Sequence, residues 1–355
     1  MALICSRCLK NLTDKLAIQK AIGKLSTQEE ITGEEAHKIL VEIKEGKATE
    51  VQIAGFLAAL TTKGPKPEEI AAIASSMRKL CNRITPKVSG HLTDTCGTGG
   101  GVTTFNISTG DSIISAAAGV PIAKHGSRSI ASKSGSADVL EALGININLK
   151  PQQAETLIEK IGIAFLYAPL FHPIMHKVFP PENALGVKTI FYTIIGPLIN
   201  PADARSHLMG VYKPELVKIV PSILRDMDFI HAMVVHSDDG MDEVSITAET
   251  MIGEVNRGKV ETYKIAPEDF GIKRASIKDV AGDFTPQENA EILKKIFQGM
   301  EKGPKRDVLL LNAGSVCYCG DIVSDISEGV EVARNIIDDG KAFNKLQDFI
   351  KFSNN

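Results

Sequence analysis

The sequence predicts an α/β protein: a small all-helical domain packed on a larger α/β domain with a mainly parallel central sheet flanked by helices. Three observations predict it. The chain carries helix-start chemistry and apolar periodicity up to about residue 84, and after Pro86 it switches to β-rich runs that end in glycine or polar loops and lead into helical stretches. It is also long enough for two cores, at 355 residues with 43% hydrophobic content.

The first helical segments are LAIQKAIGKL, EEAHKILVEIKEG and VQIAGFLAALTTKG, the second opened by Thr32 with Glu35 three positions on, a capping box. PEEIAAIASSMRKL follows. Pro67 and two glutamates occupy its first turn, where a missing donor and the helix dipole favour them. Beyond Pro86, TDTCGTGG, SIISAAAGVPIA and SADVLEALGI alternate strand, glycine loop and helix, and DFIHAMVVHSDD and VLLLNAG read as later buried strands. The helical stretch from Pro151 to Leu185 interrupts this alternation, so the chain is expected to return to the helical domain and leave a ligand-sized cleft beside it. GVKTIFYTIIGPLINPA reads as a strand or buried hinge before a rigid loop. The expected domains are 1–88 with about 166–190, helical, and 89–165 with 191–355, α/β.

A formal charge of −3, with 40 basic against 43 acidic residues and no Lys/Arg cluster interleaved with aromatics, gives nucleic-acid binding little footing. No apolar run is long enough to span a membrane, and the N-terminal segment is too short in apolar residues for a secretory signal, so a cytoplasmic protein is expected. Six cysteines do not make a disulfide framework. Cys5 and Cys8, with Cys317 and Cys319, could in arithmetic form a four-sulfur zinc site, but buried thiols are the commoner case.

The chemistry concentrates between Asp94 and Arg128. Gly97, Gly99, Gly100 and Gly101 would let backbone N–H groups approach phosphate oxygens, Asn106, Ser108, Thr109, Ser127 and Ser129 add neutral donors, and Lys124 and Arg128 add charge. A tight strand-to-helix turn would explain the glycines alone equally well; their neighbours shift the reading to a phosphate cradle. Neither GxGxxG nor GxxxxGK[ST] is present. A second constellation, Asp238, Asp239, Asp242 and Glu243, is either a solvated acidic turn or a set of hard oxygen ligands for a phosphate-bound Mg²⁺. Histidines 125, 172, 176 and 236 show no metal-binding spacing, and no nucleophile motif appears. Charge stabilisation is the chemistry left.

Taken together, DTCGTGG, FNIST, AKHGSRSIASKSGSADVLEALG, FLYAPLFHPIMHKV, GPLINPA, VVHSDDGMDEVS and LLNAG resemble the anthranilate phosphoribosyltransferase family over roughly residues 15 to 350. The resemblance implies transfer of the 5-phosphoribosyl group from phosphoribosyl diphosphate (PRPP) to the amine of anthranilate, a step of tryptophan biosynthesis, by a homodimer paired through the helical domain. By motif, Gly97, Gly100, Thr104, Asn106, Ser108, Thr109, Lys124, Gly126, Ser132 and Ser136 would contact PRPP. The aromatic amine acceptor would meet Gly97, His125, Ser127, His172 and Glu182, and Ser108, Asp242 and Glu243 would hold Mg²⁺. Breaking the C1–O bond of PRPP puts positive charge on ribose and negative charge on pyrophosphate, so positioning and preorganised charge suffice without a strong base.

Three departures from the family pattern stand out. Ser127 takes the place of an acceptor-binding Asn, Glu182 falls where an Arg usually meets the acceptor carboxylate, and the glycine loop GTGGGV lacks the Asp of GTGGDG and is one residue shorter. A glutamate there repels an anion where a guanidinium would fork onto it. The same donor with a different aromatic or heterocyclic amine is therefore the alternative acceptor chemistry. A pyrimidine-nucleoside-phosphorylase-like enzyme and a non-catalytic nucleic-acid-binding relative stand behind it.

Overall fold

The computed structural model describes residues 15–129 and 133–355. Its contacts separate two compact units: the described residues up to Cys81 with His172–Ile195, and Asn82–Phe171 with Gly196–Asn355.

The first unit is helical, built from Ala17–Ser26, Gly33–Glu45, Glu50–Lys63, Pro67–Leu80 and Met175–Leu185. Its starts are local chemistry: Thr32 accepts from Glu35 N and Thr49 from Gln52 N, each answered by the reciprocal side chain. Its core follows from the helical period, which puts Ile18, Ile39, Leu40, Ile43, Phe56, Leu57 and Met77 on inward faces, where all are buried. A buried Lys63–Glu69 pair at 2.6 Å ties two helices, and Glu69 also accepts Ile31 N.

The second unit holds a seven-stranded sheet: β1 (Thr93–Asp94), β2 (Ile122–Gly126), β3 (Ile163–Tyr167), β4 (Ser206–Gly210), β5 (His231–Ser237), β6 (Thr250–Asn256) and β7 (Lys259–Ile265). The order is β3-β2-β1-β4-β5-β6-β7, parallel through β5 and antiparallel for the last two pairs. The mainly parallel sheet is thus present, with an antiparallel hairpin at one edge. That hairpin turns through Arg257 and Gly258, both at positive φ, as a two-residue turn requires.

Local expectations differ from the structure at a few places. VLLLNAG is not a strand but the middle of the Pro304–Cys319 helix, which is buried nearly all round and so shows no 3.6-residue period. Glycines let it pack closely: a Cβ on Gly110 would lie 2.7 Å from Leu309, and one on Gly329 would lie 2.3 Å from Gly314 O. GVKTIFYTIIGPLINPA is not a strand either; it forms the short helices Ile190–Thr193 and Ile195–Leu198, the first capped by Thr189. Residues 82–88, expected with the helical domain, are bonded into the α/β unit, with Asn82 N donating to Phe171 O at 2.8 Å and Ile84 N to Pro201 O at 3.1 Å. The returning helical segment runs from His172 to Ile195 rather than from about 166 to 190, because β3 and the short Ala168–Phe171 helix stay with the sheet.

Candidate functional site

From β1 the chain moves to β2 and β3 on one side, then crosses to β4 and β5 on the other. The carboxyl ends of β1 and β4 are therefore the switch point where open parallel sheets take ligands. The loops after β1, β4 and β5 meet there.

Glycine is required in these loops first by backbone stacking. A Cβ on Gly97 would lie 3.0 Å from Gly210 O, one on Gly210 would lie 1.7 Å from Asp242 O, and one on Gly101 would lie 2.4 Å from Asp242 Oδ1. Thr98 N donates to Gly210 O at 2.9 Å and Val102 N to Gly240 O at 2.9 Å, fastening the layers. Gly99 and Gly100 turn with φ of 63° and 94°. The sequence assigns the loop's N–H groups to phosphate; in the structure those of Gly99 and Gly101 face the Asp242 carboxylate.

Beneath the loop lies a buried polar layer. Asp94, at the end of β1, accepts from Thr95 N, His125 N and Asn200 Nδ2, which fixes β1, β2 and the 196–202 segment together. Lys124, on β2 and only 2% exposed, donates to Thr95 Oγ1 at 2.9 Å and to Ser108 Oγ at 3.3 Å. Ser108 and Thr109 open the Ile107–Ala118 helix, whose N-terminus follows Asn106. The hydroxyl of Thr109 and Oδ1 of Asn106 are buried without a hydrogen-bond partner.

Of the four acidic residues after β5, only two belong to this layer. Asp238 is exposed and paired with Lys264 at 2.7 Å, while Asp239 caps its own turn, accepting from Ser245 Oγ at 2.6 Å, Met241 N at 3.1 Å and the Thr247 hydroxyl. Asp242 and Glu243 are half-buried, Asp242 against the N–H groups of Gly99 and Gly101 and Glu243 within reach of the charges of Asp111 and Lys124. Burial pushes the Asp242 carboxyl above its usual range, partly offset by nearby backbone N–H groups and the charge of His236. Burial, then the charges of Asp242 and Asp111, hold Glu243 well above its usual range, with Lys124 opposing.

Other expected residues fall into place differently. His125 is neutral because burial pushes it down, and its Nδ1 lies 3.1 Å from Gly196 O, which makes Nδ1 the protonated nitrogen. Gly126 ends β2, where a Cβ would lie 2.9 Å from the Phe165 ring; Thr104 bridges to Ala281; Ser136 begins the Ser136–Ala142 helix. Arg128 does not supply free charge: it is paired with Asp138 at 2.7 Å and Glu141 at 2.6 Å, and Asp138 also takes Ser129 N. Ser127 is exposed, with its carbonyl accepting Ala137 N at 3.3 Å. Ser132, Cys5 and Cys8 lie outside the described residues. Cys317 and Cys319 are buried thiols, burial pushing Cys317 up to about 12.

His172 and Glu182 belong to the helical unit. Glu182, 2% exposed, accepts from Thr189 N at 2.8 Å and Thr189 Oγ1 at 2.5 Å, so its carboxylate organises the turn before Ile190–Thr193.

Sequence reasoning missed Thr95, Asn200 and Asp111. Asp111 carried a readable signal, standing three residues after Ser108 and so on the same helix face. No group of three or more His, Cys, Asp or Glu among the described residues could hold a metal by itself. Two acids and a hydroxyl fit a hard cation that keeps waters and takes substrate oxygens, and the raised, mutually repelling Asp242–Glu243 pair is the donor set such a cation would relieve.

Comparison with known proteins extends this geometry. Residues 89–343 match the α/β domain of a glycosyl transferase family, and residues 19–81 match that family's helical bundle domain. The chain is 47% identical over 338 residues to an anthranilate phosphoribosyltransferase of Acetivibrio thermocellus, covering 95% of this chain and 97% of the relative. It is 45% identical over 337 residues to one of Methanosarcina acetivorans, covering 95% and 90%. Among solved structures, the anthranilate phosphoribosyltransferase of Thermus thermophilus superposes with a TM-score of 0.87 at 36% identity, over 96% of this chain and all (100%) of that one. The Saccharomyces cerevisiae enzyme in complex with PRPP and Mg superposes with a TM-score of 0.85 at 25% identity, over 96% and 99%.

Proposed function

We propose, from the premise that the chain belongs to the anthranilate phosphoribosyltransferase family, that it transfers the 5-phosphoribosyl group of PRPP to the amine of anthranilate and releases pyrophosphate. The observation that carries this reading is the convergence at the switch point of Lys124, Ser108 and the Asp242–Glu243 pair. Asp242, Glu243 and Ser108 would hold Mg²⁺, as the yeast relative in complex with PRPP and Mg supports. When bound, the cation supplies charge neutralisation for the departing pyrophosphate.

The chain's own residues do the rest. The Lys124 ammonium, held by two hydroxyls in a water-poor layer, favours negative charge developing on the leaving group. Gly97, Gly100, Thr104, Asn106, Thr109, Gly126, Ser132 and Ser136 would line the donor, and His125, Ser127, His172 and Glu182 the acceptor. Neutral His125 adds no charge to repel the forming ribosyl cation.

The relatives favour anthranilate over a different acceptor. Glu182, at the position of the usual Arg, spends Oε1 on both donors of Thr189 and leaves Oε2 buried without a hydrogen-bond partner, so the acceptor carboxylate must find its cation elsewhere. A homodimer paired through the helical unit, in the cytoplasm, completes the reading. Loss of anthranilate fluorescence with PRPP and Mg²⁺ tests it directly; PRPP binding without any consumption of anthranilate would overturn the acceptor assignment.

A further inference from the structure

We infer that Asn312, together with Ser237, is a positioning residue for the cation, fixing the backbone from which Asp242 and Glu243 present their carboxylates. The inference rests on the functional reading above and deepens it.

Asp242 and Glu243 lie between β5 and β6 in a stretch outside the sheet, yet Met241 before them and Val244, Ser245 and Ile246 after them are buried. Buried backbone N–H and C=O groups need partners, and here side chains do what a neighbouring strand would. Ser237, at the end of β5, brackets the two acids: its N–H donates to Met241 O at 3.0 Å and its hydroxyl to Glu243 O at 2.7 Å. Asn312 takes over at the next residue, where its Oδ1 accepts from Val244 N at 3.0 Å and its Nδ2 donates to Val244 O at 2.8 Å. Thr250 Oγ1 then accepts from Ser245 N at 3.0 Å. Each backbone polar group from Glu243 O to Ser245 N is thus held by a side chain.

Asn312 owes its place to this loop and not to its helix. It is 1% exposed in the middle of the Pro304–Cys319 helix, following three leucines, at a position where Leu or Ala would favour the helix more. Its Nδ2 also donates to Val308 O at 2.8 Å, one turn back, so both amide hydrogens are used and the orientation is fixed. Turned over, the amide would set its oxygen against two carbonyls. The helix itself is a firm base, since a Cβ on Gly314 would lie 2.6 Å from Val330 N. A loop whose backbone is already fixed has less freedom to lose when its carboxylates close on a cation, and groups that orient metal ligands from behind commonly set the affinity.

Loss of this support should appear in the cation's affinity. In Asn312→Ala, Mn²⁺ binding in the presence of saturating PRPP, read by electron paramagnetic resonance on folded protein, should weaken about tenfold. The Mg²⁺ concentration for half-maximal rate should rise about as much, with kcat recovering to within about twofold of wild type at saturating Mg²⁺. Ser237→Ala, which removes the bond to Glu243 O and keeps the N–H on Met241 O, should weaken Mn²⁺ binding about threefold, and it carries the test if Asn312→Ala does not fold. Ser315→Ala removes a hydrogen bond to Leu311 O inside the same helix and should leave Mn²⁺ binding unchanged. Folded Asn312 and Ser237 variants that bind Mn²⁺ as wild type does, an equal loss in Ser315→Ala, or a kcat that stays low at saturating Mg²⁺ would each overturn the proposal. A wild-type protein that binds no Mn²⁺ with PRPP would remove the functional reading itself, and this proposal with it.

Discussion

Two acid sites of the same sheet are built on opposite terms. At the edge, Glu254 on β6 accepts from His231 Nε2 at 2.8 Å, Tyr263 OH at 2.6 Å and Tyr318 OH at 3.0 Å; burial pushes its carboxyl up, but these donors outweigh it and hold it below the usual range. At the switch point, Asp111 is buried and Asp242 and Glu243 are half-buried, and all three carboxyls are raised, chiefly by burial, Asp111 to about 7. A satisfied acid strengthens a fold; acids left wanting a positive charge mark where a ligand belongs.

The widest separation should come from neutralising the active pair. Asp242→Asn with Glu243→Gln is expected to lower kcat about a thousandfold, as removal of cation and charge stabilisation does. In metal-free protein the same change should raise the melting temperature, since it removes buried repulsion. A lower melting temperature would erase the distinction between the two sites.

Next in size is Gly210→Ala. Its Cβ would overlap Asp242 O at 1.7 Å, so we expect about 3 kcal/mol of lost stability and a raised KM for PRPP, read by denaturant titration and steady-state kinetics. A neutral outcome would mean the loops are not fixed by this stacking.

Glu254→Gln probes the other pole. It should cost about 2 kcal/mol at pH 7 with kcat unchanged. Because the folded pKa is depressed, this contribution is present above the unfolded value near 4.5 and is lost as pH falls through the folded one, so wild type and variant should converge in acid. A constant gap across that range would assign the effect to packing.

The smallest effect is expected from Arg128→Ala. Its exposed pairs with Asp138 and Glu141 contribute little, and KM for PRPP should change less than about twofold. A tenfold rise would restore Arg128 to the phosphate site.

The parts of this molecule written in local code were legible. Capping residues such as Thr32 and Thr49, Pro67 at a helix start and the strand-to-glycine runs at Asp94 and Lys124 announce themselves within a few residues. What tertiary packing decides was not. Leu309 to Leu311 look like a strand because every face of their helix is covered, and the Arg257–Gly258 turn lacks the Asn-Gly or Asp-Gly that usually marks a two-residue hairpin. At the site, one loop's four acids divide into two held by turn or surface partners and two half-buried beside the glycine loop and Lys124, a distinction set by Lys264, Ser245 and Thr247 rather than by spacing. Arg128 lost its expected role to Asp138 and Glu141, its partners ten and thirteen residues on.

The helical unit takes its last segment, His172–Ile195, from beyond β3. During synthesis the four helices between residues 17 and 80 emerge long before the piece that completes them, and the strands β1 to β3 of the other unit appear in between. Neither unit can finish as an uninterrupted stretch of chain, so the two folding events are interleaved in time. Truncation before residue 195 should leave the early helices with an open apolar face, exposed to chaperones and proteases.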